Sequence, residues 1–131
     1  MQYIKGMQFY QNDKKTAITL GKFDGLHRGH ETLIERVIEH QKNDGVDSVV
    51  FAFDMAPLYE KIKKKKESLI TNEERAGRLF GRVDYLVECP FVEAVSKIEA
   101  ETFIKEILVK QFHAEYIVVG TDFHQNFFYE S

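Results

Sequence analysis

The run Ser48-Val49-Val50-Phe51-Ala52-Phe53 is apolar at odd and even positions alike. Successive side chains of a strand point to opposite faces, so such a strand needs apolar cover on both sides. Helices packed on both faces of a parallel sheet provide that cover. Other stretches fit the same plan. Ala17-Ile18-Thr19-Leu20 reads as a first strand. Residues 31–41 place Leu33, Ile34, Val37 and Ile38 on one helical face, and Lys42-Asn43-Asp44-Gly45 stops that helix. Thr71-Asn72-Glu73-Glu74 is a capping box, opening a helix that runs to about Phe80. Asp84-Tyr85-Leu86-Val87 reads as a third strand. Residues 99–111 form an amphipathic helix with Phe103, Ile104, Ile107 and Leu108 as its stripe, and Tyr116-Ile117-Val118-Val119-Gly120 is a fourth strand. The alternation predicts an α/β protein with a Rossmann-like open parallel sheet, whose ligands bind beyond the C-terminal strand ends.

Bulk properties narrow the classes. The 131 residues suit one domain, residues 1–131, with a real core. Hydrophobic residues at 44% and charged ones at 30% fit an ordinary globular protein. A net charge of −3, from 18 basic and 21 acidic residues, lacks the basic excess of nucleic-acid binders. No apolar stretch approaches the roughly 20 residues of a membrane helix, and Met1-Gln2-Tyr3-Ile4-Lys5 has no secretory pattern. The single cysteine, Cys89, permits no internal disulfide and suits a reducing cytoplasm; it is expected to be inert packing. The lysine run Lys63-Lys64-Lys65-Lys66 lacks interleaved aromatics and reads as solvated surface.

The chemistry concentrates in Gly21-Lys22-Phe23-Asp24-Gly25-Leu26-His27-Arg28-Gly29-His30, directly after the first strand. A strand, a tight turn and a helix start present free backbone N–H groups and the positive end of a dipole, which suits a phosphate. His27 and His30, at i and i+3, lie on one helix face about 5–6 Å apart and can reach one phosphate group. Gly25 and Gly29 let a nucleotide approach the backbone closely. A transition-metal reading of Asp24, His27 and His30 needs a further ligand and leaves the glycines unexplained, so no resident metal site is expected. Two other segments follow strands and converge on the same end of the sheet: residues 54–57 and 120–124.

The first segment resembles the G-x-F-D-G-x-H-x-G-H signature of bacterial FAD synthetases, bifunctional riboflavin kinase/FMN adenylyltransferases within the HxGH nucleotidyltransferase group. Similarity extends from about residue 16 to 124. It includes Leu69-Ile70-Thr71-Asn72-Glu73-Glu74-Arg75, Val83-Asp84-Tyr85, Pro90-Phe91 and Val118-Val119-Gly120-Thr121-Asp122-Phe123. The resemblance implies transfer of AMP from ATP to FMN, giving FAD and pyrophosphate, with Mg²⁺ accompanying ATP and no covalent enzyme intermediate. It assigns His27 and His30 to catalysis. ATP binding falls to Gly21, Phe23, Asp24, Gly25, His27, Gly29, His30, Gly120 and Asp122. Phe53, Asp54 and Pro57 fall on the flavin side, where Met55 and Ala56 replace the family's Pro-His.

Parts of the family pattern have no counterpart in this sequence. An Ile-Ser-Ser-Thr-x-x-Arg-like motif, the last strand and the β-barrel riboflavin kinase domain would lie beyond residue 131. The expectation is therefore a truncated domain without kinase activity, whose unpaired sheet edge favours self-association. The tail 125–131, Gln125-Asn126-Phe127-Phe128-Tyr129-Glu130-Ser131, replaces an expected glycine- and lysine-rich loop. Two other readings stand beside adenylyl transfer to FMN. One is another HxGH transferase such as a cytidylyltransferase. The other is a non-catalytic nucleotide- or flavin-binding remnant.

Overall fold

The computed structural model describes residues 1–23, 28–57 and 72–120. Asp24, Gly25, His27, the four lysines 63–66, Thr71, Asp122 and the tail 125–131 lie outside the described residues. The elements are β1 (Gln2–Lys5), a 3₁₀ turn (Met7–Phe9), β2 (Thr16–Gly21), α1 (Arg28–Asp44), β3 (Asp47–Asp54), α2 (Asn72–Leu79) and β4 (Tyr85–Pro90). A short α3 (Glu93–Ser96) follows. Then comes α4, an α turn (Ala100–Thr102) continuing as a π-helix (Phe103–Val109), and finally β5 (Ala114–Val118).

The strands form one parallel sheet in the order β1-β4-β3-β2-β5. The chain steps outward from β2 through β3 to β4, then reverses and adds β5 on the other side of β2. This reversal creates the crevice in which doubly wound sheets bind ligands. β3 sits centrally, and all six residues from Ser48 to Phe53 are buried. Alternate side chains divide into two cores. Ile18, Leu20, Val49, Phe51, Phe53, Val87 and Cys89 pack with Phe103, Leu108 and Phe112 on the α4 face. Ala17, Val50, Ala52 and Leu86 pack with Ile34, Val37, Ala76 and Leu79 of α1 and α2 on the other. The two-sided cover expected from the apolar run is what the fold supplies.

Five strands are observed where the sequence pattern suggests four. The additional one, β1, is short and half-exposed, and pairs at the edge with β4 from Gln2↔Tyr85 to Lys5↔Glu88. Its partner is remote in sequence, so no local pattern announces it. The helix expected over 99–111 also differs in kind. Lys110 N–H donates to the Lys105 carbonyl at 3.3 Å and Phe112 N–H to the Ile107 carbonyl at 3.0 Å, the i→i+5 bonds of a π-helix. The wider turn aligns Phe103 and Leu108, both fully buried, while Ile104 and Ile107 are only partly covered. α1 stops as its sequence requires, with Gly45 at φ 70, a left-handed conformation favourable only for glycine. No helix among the described residues is long and apolar enough to cross a membrane.

Candidate active site

β2 brings the chain to the crevice. Its last residue, Gly21, pairs with Ala52 of β3, while Thr19 pairs with Val118 of β5. The β2–β5 pairing ends there, as β5 stops at Val118. Two of the four glycines that the resemblance assigns to nucleotide binding, Gly21 at the end of β2 and Gly120 two residues past β5, therefore stand at the reversal point. Just beyond, Phe23 adopts φ 49, a region that costs a non-glycine residue about 1–2 kcal/mol. Full burial of its ring against the α1/α2 core offsets this strain. Gly21 makes room for that ring: a Cβ there would lie 3.3 Å from Phe23 Cε2.

His30 lies in the first turn of α1, half-buried, with its imidazole centroid 5.0 Å from the Phe23 ring at an interplanar angle of 51°. The imidazole thus stands at the N-terminal end of α1, an end whose backbone N–H groups and dipole in general suit phosphate oxygens. Glu31 follows. Its carboxylate accepts two hydrogen bonds from Arg82, at 3.1 and 2.8 Å. Those bonds, more than the partial burial opposing them, lower its pKa below the usual carboxylate range. The pairing neutralises the one acidic side chain in the first turn of α1.

The β3 exit is organised differently. Phe53 is 1% exposed and packs against the rings of Phe51, Phe91 and Phe103, so it supports the crevice from within the core. Asp54 ends the strand, and its Oδ1 accepts the Ala56 N–H at 3.1 Å. This local turn carries the chain to Pro57, which is partly exposed. Met55, in place of the family's proline, is 5% exposed and belongs to the core. Cys89 is likewise buried, and desolvation pushes its thiol up to about 11, as expected of inert packing.

In the sequence Arg75 reads as scaffold and Glu88 draws no attention, yet both lie under the site. Arg75 Nη1 donates to the Lys22 carbonyl at 2.8 Å and Nη2 to Glu88 at 3.0 Å. The one sequence signal for this pair is a glutamate inside the apolar run Leu86-Val87-Glu88-Cys89, since a buried charge requires a partner.

Sheet order, reversal point and flanking helices define a Rossmann-like α/β fold. A solved Streptococcus pneumoniae protein described as a macrolide-efflux protein shares this fold, with a TM-score of 0.74 at 23% identity. The match covers 92% of this chain and 41% of that one. The FAD synthetase family model matches residues 9–127, and the chain belongs to that family. Similar relatives are bifunctional riboflavin kinase/FMN adenylyltransferases. The one from Buchnera aphidicola (Schizaphis graminum) is 28% identical, over 94% of this chain and 40% of its own length. The one from Escherichia coli K12 is 30% identical, over 82% and 35%. The chain thus spans well under half the length of these relatives.

Proposed function

We propose that this domain transfers the adenylyl group of Mg·ATP to the phosphate of FMN, forming FAD and pyrophosphate. The observation that carries the reading is the position of His30, in the first turn of α1 beside the reversal point, in a chain of the FAD synthetase family. An FMN phosphate oxygen attacks the α-phosphorus of ATP, and the bond from that phosphorus to the pyrophosphate oxygen breaks. Negative charge grows on the leaving pyrophosphate and on the α-phosphate oxygens. The α1 amides, His30 and His27 neutralise it, and no side chain is covalently modified. Gly21, Gly29 and Gly120 admit the nucleotide, with Asp24, Gly25 and Asp122 completing its site, while Phe23, its ring fully buried, backs it from the core and does not line it. Asp54 and Pro57 shape the flavin side, and Phe53 backs it from the core.

Purified chain incubated with FMN, ATP and Mg²⁺ is expected to yield FAD, measured by chromatography with fluorescence detection. The product should vanish in a folded His30→Ala variant. Asp122→Ala should weaken ATP more than FMN. No FAD from folded wild-type protein, undiminished FAD from His30→Ala, or a preference for CTP would each overturn this reading.

A further inference from the structure

Arg75 and Glu88 meet at 3.0 Å with side chains only 3% and 5% exposed. An ion pair this buried generally stabilises no better than a well-packed apolar pair, so its presence points to some other role. The guanidinium supplies one. It spans two strands, gripping Glu88 on β4 with one nitrogen and the Lys22 carbonyl, just past β2, with another. Lys22 directly precedes Phe23, the residue at positive φ, and the Phe23 ring rests against His30. A planar fork can hold both acceptors at fixed separation, whereas a lysine ammonium is a single point on a flexible stem. Neither side chain is exposed enough to meet a ligand.

We propose that Arg75, anchored by Glu88, is a positioning residue: through Lys22 and Phe23 it sets where His30 stands at the crevice mouth. The catalytic consequence rests on the adenylyl-transfer reading; the positioning itself does not.

The test follows the His30 imidazole by NMR in histidine-labelled protein, assigned by difference from His30→Gln. Phe23→Leu supplies the reference for a lost ring contact. Arg75→Lys keeps a charge against Glu88 but removes the fork. The double variant Arg75→Met/Glu88→Gln removes both charges together, which guards against a misfolded single variant. In each folded variant the His30 resonance is expected to move most of the way to its Phe23→Leu value. A His30 resonance that stays at its wild-type position in either folded variant overturns the proposal, whatever the loss of stability. Where wild-type protein makes FAD, kcat in Arg75→Lys should fall about 10- to 100-fold, with KM for ATP within about twofold. A loss confined to KM also overturns it. Should folded wild-type protein make no FAD, the adenylyl-transfer reading falls, and the His30 resonance alone decides the positioning role.

Discussion

Phe23→Ala should cost a large share of this domain's stability, and the structure sets the size of the loss. The ring is fully buried in the core formed with Ile34, Val37 and Leu79, at the point where the chain leaves β2. Removing a fully buried phenyl ring costs about 3–5 kcal/mol, combining lost transfer energy with the cavity left behind. No relief of strain offsets this, because alanine at φ 49 meets the same backbone penalty as phenylalanine. Domains of this kind are stable by about 5–15 kcal/mol, so the variant should remain folded in buffer but with a much smaller margin. With a urea slope of about 2 kcal/mol/M, a loss of about 4 kcal/mol lowers the unfolding midpoint by about 2 M. Circular dichroism across a urea series measures this directly. A loss below about 1 kcal/mol at unchanged slope would refute the idea that packing of this ring holds the strained turn.

Four further perturbations have definite signs. Cys89, pushed up to about 11 by burial, holds a proton that the unfolded thiol gives up near pH 8.5, so its stabilising contribution is complete below that pH and is lost as pH rises through about 11. Cys89→Ala should therefore flatten the alkaline fall in urea midpoint, and native wild-type thiol should resist labelling at neutral pH. Glu31, with its pKa lowered by Arg82, stabilises the fold above the unfolded carboxylate pKa near 4.3 and loses that contribution as pH falls further. Glu31→Gln should show a shallower acid loss, and an unchanged acid profile would argue against the pairing. Gly77 lies inside α2 with open space where an alanine methyl would go, and Gly77→Ala should gain about 0.5–1 kcal/mol. Gly45→Ala, at φ 70, should instead lose about 1–2 kcal/mol in the same urea experiment.

Much of this molecule is legible in its sequence because its elements declare themselves locally. β3 is apolar without interruption, α1 carries a helical stripe ended by Gly45, and Gly21 marks the exit of β2 toward the crevice. What the sequence hides depends on partners distant along the chain. β1 is a strand only because β4 lies beside it, and the π turn of α4 follows from the need to bury Phe103 and Leu108 together. Within the candidate site, the place of His30 in the first turn of α1 is readable, since the helical pattern of the sequence begins there. The left-handed Phe23 and the grip of Arg75 on the Lys22 carbonyl are not, because both are set by tertiary packing.

The two outer strands of the sheet have a consequence for how the domain assembles. β2, β3 and β4 can pair through successive short crossovers, but β1 pairs with residues more than eighty positions away, and so does β5. Closing such large loops costs chain entropy before any contact repays it. The inner three strands can therefore gather while both rims are still open, and the rims are the slow additions. The reversal point of the sheet lies between β2 and the late-arriving β5, whereas the Arg75–Glu88 brace belongs wholly to the inner part. Refolding should consequently fix Lys22 and Phe23 in place before the groove beside them has a second wall.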